Sequence, residues 1–160
     1  MIVISDTSPL IALAKIDCLS CLPRLFEAVV VPPEVHQELS AKSGEGIPDI
    51  LRMAGDWLEV RSPKELLILG LDAGETAAIS LALEKKSARL LIDERLGRRA
   101  ATKLGLKVIG TVGILLEAGV EGMLNLGDSF ERLKAIDFHF PHELLDDLLS
   151  DFNLHHNPNG

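Results

Sequence analysis

The sequence predicts an α/β fold, a doubly wound parallel sheet flanked by helices in three α/β/α layers. Three observations point there. Short apolar runs alternate with helix-patterned segments along the chain. The runs are continuously apolar, as in strands buried on both faces, rather than half-polar as in a sheet with one wet face. No internal repeat, low-complexity segment or domain linker interrupts the alternation. The 160 residues therefore read as one domain over 1–150, with a flexible tail over 151–160.

The elements follow in order. Ile2 to Ser5 is a short buried strand. Ser8 as N-cap, with Pro9 at the first helical position, starts a helix to about Lys15. A second short helix covers Cys18 to Leu25. Ala28-Val29-Val30-Val31 is the next buried strand, ended by Pro32-Pro33, and Pro33 opens the helix "PEVHQELS". Val35 and Leu39 share its buried face, and Glu34 and Glu38 share a neighbouring one. "AKSGEGIP" is an exposed loop. A helix near Asp49 to Ala54, a strand at Trp57 to Val60 and a helix from Ser62-Pro63 through Leu69 come next. "LDAGETAAISLALEKK" is a helix with Asp72 as N-cap and Glu75 three residues on, the pattern of a capping box. Lys85 and Lys86 stand at its C-terminal end, where the helix dipole favours cations. Leu90 to Ile92 is a strand ended by Asp93. A basic helix then runs to Leu104, with Gly105 suited to its C-cap. Lys107 to Ile109 is the next strand, and Gly110-Thr111 leads into a helix through Ala118. Leu126 to Leu149 reads as helices interrupted by Phe138-His139-Phe140-Pro141, and "NLHHNPNG" as loose.

Composition narrows the function. A 47% hydrophobic content supplies a real core. No apolar run approaches the ~20 residues of a membrane span, and the start lacks the pattern of a signal peptide. The expectation is a soluble cytoplasmic protein. A net charge of −8 argues against a broad basic surface for nucleic acid but leaves room for a local basic patch. Aromatics are 4% with no Tyr, which disfavours a base-stacking platform. Cys18 and Cys21 form one C-x-x-C among leucines at helical spacing. With no second pair to complete a zinc site, they read as core. His139 and His142 read as flanking a helix start, and His155 and His156 as solvated.

The acids carry the chemistry. In open parallel sheets, ligands bind beyond the carboxyl ends of the strands. Two strands here run directly into an aspartate, Asp6 and Asp93. Glu75 begins the helix that feeds the Asp93 strand, and Glu38 lies near the end of the helix after the second strand. Crowded carboxylates repel unless a cation neutralises them. Mg²⁺ and Mn²⁺ favour oxygen ligands, and such a site can activate water and stabilise an in-line phosphoryl transition state. Each acid also has a structural reading. Asp6 would bond turn amides, Asp93 would cap the following helix, Glu75 would complete a capping box, and Glu38 would be solvated. Arg95, Arg98, Arg99 and Lys103 form a basic cluster beyond Asp93, suited to phosphates or to a solvated helix face.

Five segments, "ISDTSPLIALAKI", "VVVPPEVHQEL", "LDAGETAAISLAL", "LLIDERLGRRAA" and "VIGTVGILLEA", together resemble the PIN-domain family, in particular its VapC-like toxin nucleases. They occur in the family's order and cover most of Ile2 to Ala118. The resemblance implies a PIN-like sheet with acids meeting at its carboxyl edge, and a Mg²⁺- or Mn²⁺-dependent ribonuclease. By motif it implies catalytic and metal-binding roles for Asp6, Glu38, Glu75 and Asp93. Glu75 departs from many relatives, which carry Asp at that position. Supporting roles fall to Thr7, Ser8, Glu94 and Thr111, and RNA contacts to Arg95, Arg98 and Arg99. A cognate antitoxin and a homodimer are the partners it implies. Two other readings stay open: a catalytically silent PIN-like module binding RNA or protein, and a receiver-like or phosphatase domain. The latter usually wants a second acid beside the first-strand aspartate, where this chain has Thr7.

Overall fold

Five strands form: β1 (Ile2–Ser5), β2 (Ala28–Val31), β3 (Leu58–Val60), β4 (Arg89–Leu91) and β5 (Lys107–Ile109). The computed structural model describes residues 1–86 and 88–156. All four strand pairings are parallel, in the order β3-β2-β1-β4-β5. β1 is central and pairs in register with both neighbours, Ile4 lying against Val30 on one side and Leu90 on the other.

The β-branched runs are apolar at every position because both faces of the sheet are covered. Val3, Val29, Val31 and Leu91 point into one core, and Ile4, Val30, Leu90 and Ile92 into the other. The first core is the larger. It is closed by α1 (Thr7–Lys15), α2 (Leu22–Leu25), α3 (Pro33–Lys42), α4 (Ile50–Ala54), α7 (Thr111–Val120), α8 (Leu126–Ala135) and α9 (His142–His156), through residues such as Leu10, Leu13, Leu39, Ile114 and Phe130. The second is closed by α5 (Ala73–Glu84) and α6 (Arg95–Lys103), through Ala78, Ile79, Leu81 and Ala101. This is the three-layer α/β/α arrangement expected from the sequence. Cys18 and Cys21 are free thiols buried in the larger core, as their leucine neighbours suggested.

Three elements differ from the expectation. α1 begins at Thr7, so Asp6 rather than Ser8 holds the N-cap position, and Pro9 falls at the third helical residue instead of the first. The segment from Ser62 through Leu69 is not helical. Leu67, Leu69 and Leu71 pack on the smaller core while Leu66 and Ile68 face outward, a period-2 alternation that only an extended chain provides. Side chains of α5 hold it down: Lys64 N–H donates to Glu84 Oε2 at 2.7 Å, and Leu67 N–H to Ser80 Oγ at 3.0 Å. Finally, α9 runs to His156 across the stretch read as a loose tail. Leu148, Leu149 and Phe152 pack on the larger core and carry the helix past residue 150. The rest of that tail, 157–160, lies outside the described residues. Among the described residues no helix is long and apolar enough to cross a membrane.

Candidate active site

The strand order reverses between β1 and β4, and at such a switch point the outgoing chains diverge and leave a crevice. Asp6 is fixed there by its backbone, whose N–H donates to Leu91 O at 2.9 Å. α5, which precedes β4, starts at the same edge and brings Asp72 and Glu75. α3 packs beside α5 and brings Glu38.

Gly74 measures how closely these elements approach. A Cβ on Gly74 would stand 2.6 Å from Glu38 Oε1 and 3.5 Å from Asp6 Oδ1. The two carboxylates therefore converge on the space that glycine leaves open. Asp6 is 4% exposed and Glu75 is 8% exposed. Burial pushes the Asp6 carboxyl up to about 7, opposed by the Thr7 amide and reinforced by the charges of Asp72, Glu38 and Asp93. Burial also pushes Glu75 up to about 8, helped by Asp72, Asp6 and Glu94 and by a hydrogen bond that a protonated Glu75 shares with Asp72. Beside them the Thr7 hydroxyl is buried with no hydrogen-bond partner.

Asp93 is held differently. Its Oδ1 accepts the Thr111 N–H at 2.8 Å and its Oδ2 accepts the Thr111 hydroxyl at 2.6 Å. Burial still raises its carboxyl, while Thr111 and Arg98 pull it back down. Asp93 therefore holds the start of α7 and does not cap α6. That cap is Glu94, whose Oε2 accepts from Gly97 N–H at 2.7 Å. Glu94 adds charge near Glu75 but has one oxygen committed. Glu75 does not complete the reciprocal capping box. Asp72 accepts the Glu75 N–H at 2.8 Å, and the Glu75 side chain turns into the acid group.

The basic cluster divides. Arg98 turns inward, donating from Nη1 to Ile92 O at 2.9 Å beside Asp93. Arg95 and Arg99 are exposed and, with Lys103, line a shallow groove of about 460 Å³ that reaches Asp93. Of the residues expected to support Asp6, Thr7 is buried, whereas Ser8 is exposed on the wall of a larger cavity of about 900 Å³. Lys42 approaches Glu38 Oε2 at 3.6 Å from the rim.

Structure thus brings Asp6, Glu38 and Glu75 together, with Asp93 across the crevice. It adds Asp72, which the sequence reading treated only as a helix cap. The signal was available: a helix leading into a parallel strand begins at the carboxyl edge of the sheet, so its N-cap acid lies at that edge. The donor set is all oxygen, which suits a hard divalent cation. A cation here would relieve the raised Asp6 and Glu75, and the buried, unpartnered Thr7 hydroxyl adds an oxygen in the same turn as Asp6. Among the described residues no group of three or more His, Cys, Asp or Glu side chains is arranged so that it could hold a metal ion as it stands.

Comparison with known proteins bears on this edge of acids. A family model described as a PIN domain matches residues 2–154. Among solved structures the chain is similar to a PilT N-terminus domain protein from the hyperthermophilic archaeon Sulfolobus solfataricus P2. The identity is 18% and the TM-score 0.48, covering 89% of this chain and 99% of that one. No curated protein matches. PIN domains are a nuclease-type fold, and with the match running through nearly the whole sheet and its helices, this chain belongs to the PIN-domain family.

Proposed function

We propose that the protein is a metal-dependent endoribonuclease that hydrolyses RNA phosphodiester bonds, and that it serves as the toxin of a toxin–antitoxin pair. The observation that carries the hydrolytic reading is the convergence of Asp6 and Glu38 on the space over Gly74, with Glu75 raised beside them. Acids crowded in this way must hold protons or face a cation, and a divalent ion would relieve all of them at once. Asp6, Glu38, Glu75 and Asp93 would hold Mg²⁺ or Mn²⁺, with part of its water shell retained. The ion supplies Lewis acidity and a more acidic water for in-line displacement at phosphorus. Thr111 positions Asp93 through both of its oxygens. Arg95 and Arg99 take backbone phosphates on the exposed face of α6, and Arg98 stands between that face and Asp93. The toxin role, with a cognate antitoxin and a homodimeric state, rests on the resemblance of the motifs to VapC-like nucleases.

Cleavage of structured and single-stranded RNA should be measured with Mn²⁺, with EDTA and in Asp6→Asn. Both EDTA and the substitution should reduce the rate by at least about 10–100-fold. Activity indifferent to both would refute the mechanism. A Mn²⁺ titration with no saturable binding would favour a silent RNA- or protein-binding module instead. Growth arrest on induction, absent in Asp6→Asn and relieved by a partner encoded beside it, tests the toxin role.

A further inference from the structure

The larger cavity, of about 900 Å³, is not the acid crevice but shares a wall with it. Asp93, Glu94, Arg95 and Arg98 line it together with the segment from Ile136 to Phe140. That segment links α8 to α9 and is held by its own backbone. Phe138 N–H donates to Ile136 O at 2.9 Å, and Phe140 N–H to Phe138 O at 3.0 Å. These tight turns set Phe138 and Phe140 side by side, ring centroids 6.4 Å apart and planes 23° from parallel. Both rings are half-buried against the larger core, so little side-chain freedom remains to be lost when something stacks on them. Asp137 and His139 alternate with the rings along the same wall and offer an acceptor and a ring nitrogen. The volume lies in the range of pockets that enclose an organic ligand.

Aromatic rings, polar edges and two guanidinium groups lining one cavity match a flat base joined to an anionic phosphate. We propose that this cavity is the subsite for a nucleobase adjoining the scissile phosphate of a single-stranded RNA. The base stacks on Phe138 and Phe140, its edge is read by Asp137 and His139, and its phosphate is held by Arg95 and Arg98. This rests on the ribonuclease reading and deepens it. A base inside a duplex cannot enter a concave pocket, so the subsite also selects unpaired RNA around the cut. Overall aromatic content was a poor guide. Of five phenylalanines in the chain, two are concentrated beside the candidate active site.

The test pairs a ring substitution with a base deletion. Phe138→Leu keeps apolar bulk against the core but loses the stacking face. Binding of a fluorescent single-stranded oligoribonucleotide is measured in EDTA by anisotropy, with an abasic residue walked along the strand. At one position the abasic residue should weaken wild-type binding by about tenfold, as loss of one base–aromatic stack does. Phe138→Leu should weaken binding of the intact strand similarly and leave the abasic strand unaffected. Effects that simply multiply, or no measurable RNA binding, would overturn the subsite. So would a change from dimer to monomer in Phe138→Leu by sedimentation, which would make the groove an interface between copies. Binding that depends on base and ring, without Mn²⁺-dependent cleavage, would refute the ribonuclease reading alone. Cleavage indifferent to both would refute the subsite alone.

Discussion

Asp6→Asn should stabilise the metal-free protein at alkaline pH while greatly reducing its response to divalent cations. In the fold Asp6 and Glu75 hold their protons to about 7 and about 8, against 3.8 and 4.5 for free side chains. Between these limits the native state binds more protons than the unfolded chain, so stability falls as pH rises from about 4 to about 8 and then levels off. For Asp6 alone, moving from 3.8 to about 7 corresponds to a penalty on the order of 4 kcal/mol above that window, at ~1.4 kcal/mol per tenfold change in proton affinity. Asn cannot ionise and escapes this cost. For a chain of this size the gain at pH 8.5 in EDTA is on the order of 10 °C in melting temperature. Mn²⁺ should reverse the comparison, because it binds the ionised acids and stabilises the native state by mass action. Its effect on wild type should be larger at pH 8 than at pH 5.5 and should be greatly reduced in Asp6→Asn. Thermal melts of both proteins across pH 5–8.5, with EDTA and with Mn²⁺, decide the matter. A wild-type melting temperature flat with pH in EDTA, with no gain in Asp6→Asn, would refute the claim that these acids are buried without compensation.

Gly74→Ala tests the convergence itself. The new Cβ would lie 2.6 Å from Glu38 Oε1, the tip of a flexible side chain, so Glu38 swings aside at little cost to the fold. The expected result is a melting temperature in EDTA close to wild type with weaker Mn²⁺ stabilisation; full retention of the Mn²⁺ response would remove Glu38 from the site. Thr111→Val removes the hydroxyl that bonds Asp93 Oδ2 and leaves the 2.8 Å backbone bond to Oδ1 in place. Mn²⁺ affinity, measured by calorimetry, should fall roughly 10–100-fold, as for other groups that orient a metal ligand; an unchanged affinity would make the Thr111 contact purely structural.

The strands were the most legible part of the sequence. The two central strands show why: Asp6 follows β1 and Pro32 follows β2, and both runs are apolar because both faces of the sheet are covered there, whereas the edge strand β3 carries an exposed Glu59 and β5 an exposed Lys107. The Ser62–Leu69 stretch misled because Ser-Pro is a strong helix opener. Its apolar residues in fact alternate singly across an extended chain, and the bonds that fix it come from Glu84 and Ser80, far along the sequence. The acids divide by the same logic. Asp6 and Asp93 were legible because a strand end is a topological address. The pairing of Asp93 with Thr111 spans 18 positions, so no local pattern records it; only the family resemblance pointed to Thr111. Asp72 was visible as a local cap, but its contribution to the field around Asp6 and Glu75 depends on α3 and α5 meeting β1, which no local pattern records.

The first turn of α1 shows how one residue can stand in a structural position and remain available for another role. Asp6 has the extended backbone of an N-cap, with φ −76° and ψ 173°, yet its carboxylate makes no capping hydrogen bond. A capping side chain ordinarily accepts from the second or third helical N–H. Here the third helical residue is Pro9, which has no N–H to give. Pro9 thus keeps Asp6 from capping its own helix by deleting a donor the carboxylate would have bonded. Burial then denies that carboxylate water, and β4 holds its backbone at the switch point. With only the Thr7 amide to offset its burial, the carboxylate must hold a proton or face a cation, and the other acids beside it make the second outcome the more stabilising once a divalent ion is present. Restoring the donor with Pro9→Ala should therefore let Asp6 turn back toward its own helix, and the same Mn²⁺ melts should show a smaller metal response even though no acid has been removed.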